Sequence, residues 1–233
     1  MSILTAPYMQ TGNAHLLPID RNDPTLALYL PLWYPHGDMT GSTIYSYDKN
    51  RHSCTVTGAT WGVIGRTFNG TSGVIDCGNS SAFDVTTGVT VELWLYSDTD
   101  GASQGLVCKR GAGANWPFDI YKWSDNQVLI GARGSAGENL DFDTSVAINT
   151  TGWHHLVYTY NKQNQIVYLD VATTESQANT TTMATNTDPI EIGANSSLTR
   201  WYKNLIGEVR IYNRALSVGE ITRNYQATKW RYQ

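Results

Sequence analysis

The sequence predicts an all-β protein, an antiparallel β-sandwich of the jelly-roll type that ends in one short helix. Short apolar or alternating segments recur roughly every 10–15 residues, and clusters of Gly, Asn, Ser and Asp separate them. No helical periodicity of any length precedes residue 216. Evenly spaced short strands joined by turns are typical of sandwiches and jelly rolls.

The chain of 233 residues divides into an irregular N-terminal arm and one folded domain. Residues 1–24 contain three prolines and no apolar periodicity, so we predict an arm without regular structure. Strand signals begin at Thr25, and we assign residues 25–233 to the jelly-roll domain. The N-terminal stretch lacks the basic start and the continuous apolar core of a signal peptide. Since no apolar run approaches the ~18–20 residues of a membrane span, we also expect no membrane insertion.

Alternation of apolar and polar residues defines the central strands. In TVELWLYS, the side chains of Val91, Leu93 and Leu95 fall on one face and that of Trp94 on the other. The segments HLVYTYN, QIVYLDV, PIEIGA and GEVRIYN continue the pattern. We interpret Trp94, in the middle of its strand, as a packing residue.

The end of the chain predicts a closing strand followed by a helix. The segment SVGE, from Ser217 to Glu220, fits a capping box, in which Ser accepts from an amide three residues on and Glu reaches back. Ile221 and Tyr225 follow at helical spacing. We therefore expect the last strand to complete the sandwich and a short helix to pack on it.

Composition limits the classes of partner. A net charge of −4 and a pI of about 5.7 argue against a nucleic-acid-binding surface. Only 15% of residues are charged, while eight Trp and fourteen Tyr are present, as is typical of β-rich extracellular or particle-surface proteins. The three cysteines leave two alternatives, which are three buried free thiols or one disulfide with one free thiol.

Four segments in order resemble a known family: FNGTSGVIDCGNSSAFDVTTGVTVELWLYSD, GWHHLVYTYNKQNQIVYLDV, DPIEIGANSS and IGEVRIYNRALSVGEITRNY. Their motifs are similar to those of the laminin-G-like, concanavalin-A-like lectin (jelly-roll) family, over about residues 25–228. The resemblance implies a core position for Trp153. The final segment NYQATKWRYQ is similar to the tails of such modules in tailed-phage virion proteins.

This resemblance implies a non-enzymatic virion surface protein, either a phage capsid decoration protein or a fibre-head module. The arm and one edge would attach it, as a homo-oligomer assembled in the host cytoplasm, to capsid or tail proteins. Its loops would then contact cell-surface glycans or the host surface. One alternative is a carbohydrate-binding module of a secreted or cell-surface protein, which would be extracellular.

A second alternative is a glycoside hydrolase or lyase. Such an enzyme needs two carboxyl groups facing each other across a groove. Asp141 and Asp143, in LDFDT, are the one pair that could share a strand face, and their pattern is equally that of solvated turn or edge residues. We therefore predict no enzymatic activity.

Aromatic residues beside amides and carboxylates indicate a sugar site in the segments NWPFDIYKW and LTRWYKN. Both lie in or beside loops, where binding residues collect. The alternative is that these residues cover the sandwich or form a protein interface. The predicted glycan-binding residues are Trp116, Asp119, Tyr121, Trp123, Trp201 and Tyr202.

A calcium site is the one cofactor that the resemblance implies, because some members of the family bind this ion. The hairpin after Phe68 would neighbour the closing strand and bring Asn69, Asp76 and Glu208 together. Calcium takes six to eight oxygen ligands, several of them charged. Asn69 and Gly207 stand where the family often has Asp, which reduces the available carboxylates. The alternative is that these residues cap turns or pair with arginines.

Overall fold

The computed structural model describes residues 20–34 and 40–233 and confirms the predicted β-sandwich with a C-terminal helix. The predicted arm lies outside the described residues as far as residue 19, so its end at residue 24 stays a prediction. Within residues 20–34 and 40–233, no helix has the length and apolar content needed to cross a membrane.

The described residues form eighteen strands and one α-helix. These are β1 (Leu26–Leu30), β2 (Thr43–Tyr45), β3 (Ser53–Thr57), β4 (Ala59–Gly62), β5 (Gly65–Asn69), β6 (Val74–Asp76), β7 (Val89–Ser97), β8 (Gln104–Lys109), β9 (Phe118–Lys122), β10 (Gln127–Gly131), β11 (Phe142–Ala147), β12 (Gly152–Tyr160), β13 (Asn164–Leu169), β14 (Thr173–Ala178), β15 (Glu191–Ile192), β16 (Ala194–Asn195), β17 (Arg200–Trp201), β18 (Lys203–Tyr212) and α1 (Val218–Thr228).

Two antiparallel sheets face each other. The first sheet has the order β14-β13-β12-β7-β18-β5-β4, and β1 pairs with the second half of β18. The second sheet has the order β11-β10-β9-β8-β15-β6-β3-β2. A small hairpin, β16–β17, stands apart from both sheets. Neighbours distant in sequence, such as β7 and β18, make this a jelly-roll type of connectivity rather than a simple meander.

The core lies between the sheets, where the apolar faces of the alternating strands meet. Val91, Leu93 and Leu95 of β7 point into it, as predicted, and are at most 1% exposed. Leu156 and Tyr158, on the neighbouring strand β12, pair opposite Leu93 and Val91 and join the same cluster. The period-2 pattern of the sequence therefore sets which residues form the core.

The outer face of the first sheet is covered by α1. The predicted capping box is present, since Ser217 accepts from the Glu220 amide and the Glu220 carboxylate accepts from the Ser217 amide. Trp94 is fully buried beneath the helix, and its Nε1 donates to Thr228 Oγ1 at 2.9 Å. Its ring stacks on those of Tyr225 and Tyr232, with centroids 5.5 and 4.6 Å away. The predicted packing role of Trp94 is confirmed.

A buried network of charges lies between this helix and the first sheet. Arg210 donates to Glu92 Oε1 and to Glu208 Oε1, at 2.6 Å in both cases. His155 Nε2 lies 2.8 Å from Glu92 Oε1, and Asn224 of α1 donates to Glu92 Oε2 at 2.9 Å. All five residues are at most 3% exposed. The network joins β7, β12, β18 and α1, while Arg210 Nε and His155 Nδ1 have no hydrogen-bond partner in the part of the chain that the structure describes.

Candidate functional site

The outer face of the second sheet carries the aromatic residues of NWPFDIYKW. In β9, Phe118 and Ile120 enter the core, so alternation turns Asp119 and Tyr121 outward. Trp123 follows directly after β9 and is 39% exposed. The rings of Tyr121 and Trp123 meet edge to face, with centroids 6.0 Å apart. These two side chains form a small aromatic platform at the surface.

Arg200 covers part of this platform. Its guanidinium carbon lies 4.2 Å from the ring centroid of Tyr121 and 5.2 Å from that of Trp123. The hairpin β16–β17 brings Arg200 here because it crosses the outer face of β8 at Gly105. A Cβ atom on Gly105 would stand 2.3 Å from the backbone nitrogen of Asn195. Only glycine therefore allows the hairpin to lie so close to the sheet.

Trp116 lies beside the platform, but its ring is enclosed. Guanidinium groups of Arg110 and Arg133 lie over it, with carbon-to-centroid distances of 3.9 and 4.4 Å. The residue is only 7% exposed. Trp116 therefore holds two arginines by cation–π contacts and does not offer a free face to a sugar ring.

Asp119 is the acidic centre of this surface and is fully buried. Its Oδ2 accepts from Asn195 Nδ2 at 2.8 Å and from Arg110 Nη1 at 3.1 Å, and Arg200 Nη1 lies 3.8 Å away. Burial raises the pKa of Asp119, although the hydrogen bond from Asn195 and the two arginines oppose that change. The carboxylate thus connects the loop after β8, the sheet and the β16–β17 hairpin.

Three buried polar atoms of this surface lack a hydrogen-bond partner among the described residues. They are Asp119 Oδ1, Arg200 Nη1 and Trp116 Nε1. Most buried polar atoms in proteins have such a partner, either in the protein or in bound water or ligand. One acceptor, Asp119 Oδ1, and one donor, Arg200 Nη1, are therefore left unsatisfied in the Asp119–Arg200 pair, and Trp116 Nε1 is a further unsatisfied donor.

The other two aromatic residues predicted to bind glycan, Trp201 and Tyr202 of LTRWYKN, are not part of this platform. Tyr202 is 1% exposed, packs its ring 6.1 Å from that of Phe68 and donates its hydroxyl to the carbonyl of Tyr96 at 2.6 Å. The prediction that Tyr202 binds glycan is therefore not supported, because its side chain points into the core. Trp201 is partly exposed and pairs with Ala194 in the β16–β17 hairpin.

Sequence reasoning missed the arginines of this surface. Arg110, Arg133 and Arg200 come from three separate segments, and only the fold brings them together. A signal was available, because Arg110 and Arg133 each precede Gly at the start of a glycine-rich turn, in RGAGANWP and RGSAGEN. The similar position of the two arginines, each at the start of such a turn, could have indicated that both contact the same residue, Trp116.

Several carboxylates lie on the same outer face. The register of the second sheet aligns Asp119, Cys108, Glu191 and Asp76 across four neighbouring strands. Glu191 is 8% exposed, accepts from the Ser196 amide at 2.8 Å and also bonds the Ser196 hydroxyl. Asp141, half of the pair noted in the sequence, accepts from Arg133 Nη1 at 2.7 Å. Internal partners thus hold each of these three acids, Asp119, Glu191 and Asp141.

The residues proposed for calcium do not meet at one point. Asn69 pairs opposite Lys203, at the start of β18, whereas Glu208 lies five residues further along that strand, roughly 17 Å away. Asn69 Oδ1 already accepts three backbone amides of its turn, and Asp76 Oδ1 accepts from the Gly78 amide in the other sheet. The three residues therefore do not fit a single ion, and calcium binding by the protein stays a prediction.

A cavity of about 270 Å³ lies elsewhere, beside α1. Asp23, Arg214 and Asn224 are among its lining residues. Arg214 pairs with Glu220 at 2.7 Å and with Asp23 at 3.7 Å, so its guanidinium group is already engaged within the fold. The platform of Tyr121 and Trp123, with its unsatisfied neighbours, is the stronger candidate site.

Solved structures with the same fold include binding domains and an enzyme. The binding domain of Paraclostridial Mosquitocidal Protein 1 superposes with a TM-score of 0.68 at 16% identity, over 88% of this chain and 52% of that one. The binding domain of Botulinum Neurotoxin DC in complex with SialylT gives 0.68 at 13% identity, over 90% and 52%. Trypanosoma rangeli sialidase in complex with sialic acid gives 0.64 at 17% identity, over 90% and 34%.

The chain thus spans about half of each toxin binding domain and a third of the sialidase. No curated protein matches it by sequence. At these identities the likeness is one of fold alone. A family profile, Laminin_G_3, matches residues 69–222, which is well over half of the sequence. The chain therefore belongs to the concanavalin A-like lectin/glucanases superfamily.

Proposed function

We propose that the protein is a non-enzymatic carbohydrate-binding protein and that its glycan site is the outer face of the second sheet. The site consists of the platform of Tyr121 and Trp123, the carboxylate of Asp119 and the guanidinium of Arg200. Aromatic rings supply apolar faces for the C–H side of a sugar, and the charged groups supply partners for its hydroxyls.

The observation that carries the proposal is the pair of unsatisfied buried atoms, Asp119 Oδ1 and Arg200 Nη1. A sugar hydroxyl both donates and accepts, so one such group can satisfy Asp119 Oδ1 and Arg200 Nη1 together. Both atoms are buried, and Arg200 lies over the Tyr121 ring. Binding therefore involves a shift of Arg200, which uncovers the aromatic face and the carboxylate in one movement.

The comparisons with solved structures also favour a carbohydrate-binding function. The botulinum domain was solved in complex with SialylT and the sialidase in complex with sialic acid, and both share the sandwich fold. Because identity is low and coverage of those chains is partial, their ligands serve only to select which glycans to test first.

The setting that we propose is the surface of a tailed-phage particle, as a capsid decoration or fibre-head module. Its support is the sequence, whose final segment resembles the tails of such modules and whose composition suits a particle surface. In this proposal, one surface attaches copies of the chain to capsid or tail proteins and the aromatic platform faces outward. The alternative setting is a binding module of a secreted or cell-surface protein.

A glycan array tests the binding proposal with three proteins. The wild type is expected to bind a subset of glycans, and Trp123→Ala is expected to weaken that binding roughly 5- to 150-fold, because stacking on one aromatic contributes about 1–3 kcal/mol. Trp230→Ala is the matched control, since Trp230 is 65% exposed and lies in the C-terminal turn.

Two results would contradict the proposal. One is a wild type that binds no glycan at high concentration, and the other is equal binding by Trp123→Ala and the wild type. Release of reducing sugar from a bound glycan would instead favour the glycoside hydrolase alternative. The proposed particle-surface setting is tested by measuring the mass in solution, by light scattering, of the full chain and of a variant starting at Asp23. If the arm is an assembly element, the full chain is an oligomer and the shortened chain is a monomer.

A further inference from the structure

Two of the three cysteines lie directly opposite each other in the second sheet. Strands β3 and β6 are antiparallel, with Thr55 opposite Asp76 and Val56 opposite Ile75. Continuing this register by one pair places Cys54 opposite Cys77. Both side chains are buried in the core cluster, at 0% and 4% exposure, so they point to the same side of the sheet.

Backbone hydrogen bonds identify the type of pair. Cys54 pairs with Ile44 of β2. On either side of this pair, the Ser46 amide donates to the His52 carbonyl and the Val56 amide donates to the Ser42 carbonyl. This spacing directs the N–H and C=O of Cys54 toward β2 and away from β6. Cys77 in turn donates its amide to Ile190, away from β3. Cys54 and Cys77 therefore form a non-hydrogen-bonded pair.

That type of pair suits a covalent link. Non-hydrogen-bonded partners in antiparallel sheets have Cα atoms about 4.5 Å apart and their side chains close together. Disulfides span Cα separations of roughly 4.4–6.8 Å. Cys54 and Cys77 are both buried free thiols in the structure, and Cys54 is close enough to raise the pKa of the Cys77 thiol. Cys108 lies apart from them, on the outer face, where its thiol donates a hydrogen bond to the Ala194 carbonyl at 3.2 Å.

We propose that Cys54 and Cys77 form a disulfide when the protein folds in an oxidising medium, and that Cys108 remains a free thiol. With a glutathione-type disulfide as oxidant, two protein S–H bonds break and one S–S bond forms. The two electrons and two protons reduce the oxidant to two thiols. The link ties β3 to β6 and closes the β4–β5 hairpin into a loop of about two dozen residues.

The environment of the pair determines when the bond forms. Burial raises the pKa of the Cys77 thiol well above its ordinary value, and the contact with Cys54 raises it further. Since the thiolate is the reactive form, oxidation of the folded protein is slow. The bond therefore forms during folding, and it is then shielded from reductants by the same burial.

The test is oxidative refolding. The chain is reduced, unfolded and refolded in buffer with mixed reduced and oxidised glutathione, and free thiols are counted in denaturant. We expect one thiol per chain after oxidative refolding and three after refolding with excess reductant. Peptide mapping should identify a fragment that links Cys54 to Cys77. The oxidised protein should melt about 5–10 °C higher than the reduced protein.

Two variants act as matched controls. Cys108→Ala should lose both remaining thiols on oxidation and keep the thermal shift. Cys54→Ala should retain two thiols in either buffer and show no shift. A chain secreted into an oxidising periplasm and alkylated at once gives the same count without refolding. Three free thiols in folded, oxidised protein, or a bond that includes Cys108, would overturn the proposal.

Discussion

Glu92 stabilises the contact between the C-terminal helix and the first sheet, and its replacement by Gln tests this role. The carboxylate accepts from three groups, which are Arg210, His155 and Asn224, at 2.6–2.9 Å. An amide of the same shape has one oxygen and one NH₂ group. In Glu92→Gln, at least one donor therefore faces another donor, and the charge of Arg210 is balanced by Glu208 alone.

Two independent arguments give the size of the effect. Breaking a buried ion pair by removing one partner costs about 3–5 kcal/mol, because the other charge remains buried. Burial alone would raise the pKa of Glu92, but Arg210, His155 and Asn224 together lower it from 4.5 to about 2. That difference corresponds to roughly 3 kcal/mol in favour of the folded state. The two values agree, and either is a large part of a typical stability of about 5–15 kcal/mol.

Urea denaturation, followed by tryptophan fluorescence, measures the free energy of unfolding. We expect Glu92→Gln to lose about 3 kcal/mol. The control is Glu220→Gln, which removes a carboxylate that also pairs with an arginine, Arg214, but at the surface of the protein. The pKa of Glu220 is also lowered, from 4.5 to about 2, mainly by the hydrogen bond from Arg214. Water screens this pair, however, and exposed pairs of this kind contribute about 0–1 kcal/mol. Equal losses in the two variants, or a loss below 1 kcal/mol for Glu92→Gln, would refute the assigned role of the network.

The remaining predictions concern pH, packing and capping. Because the pKa of Glu92 is depressed in the folded state, its stabilisation is complete above pH 4.5 and lost as pH falls toward 2, so urea midpoints should decline across that window and less steeply in Glu92→Gln. Trp94→Ala should lose about 3–5 kcal/mol by urea titration, since it leaves a cavity beneath α1. Gly105→Ala should lower both the melting temperature and glycan binding, because a Cβ displaces the β16–β17 hairpin. Ser217→Ala should cost about 1 kcal/mol by loss of the helix cap, with an unchanged array profile.

Features encoded by neighbours in sequence were predictable. The alternation of β7 and the capping box of Ser217 and Glu220 depend on residues at most four positions apart, and both are confirmed. The position of Trp94 within a strand likewise indicated packing. Alternation could not predict what covers the outer face of each sheet. Glu92 and Arg210 occupy positions of the pattern that usually face solvent, yet both are buried beneath α1.

The candidate site was predictable only in part, for a physical reason. Tyr121 and Trp123 belong to one strand and the turn after it, so their neighbourhood follows from local sequence. Arg200 reaches them from a hairpin some eighty residues away, across Gly105. Tyr202 differs from Trp201 by one position, and in an extended segment one position decides between surface and core. Local sequence does not fix that register when the hairpin lies outside both sheets.

The two outer faces of the sandwich explain why binding is assigned to one sheet. On the first sheet, the polar row of Glu92, Glu208 and Arg210 is buried beneath α1, and Arg210 pairs with both carboxylates. On the second sheet, the described residues that cover this face form the short β16–β17 hairpin, whose second strand begins at Arg200, and Trp123 is left exposed. A helix held by a buried ion network costs several kcal/mol to displace, whereas Arg200 is held by cation–π stacking and by one longer contact, 3.8 Å, to Asp119. For the proposed glycan site, we therefore expect a ligand to open the second face at a lower free-energy cost than the first.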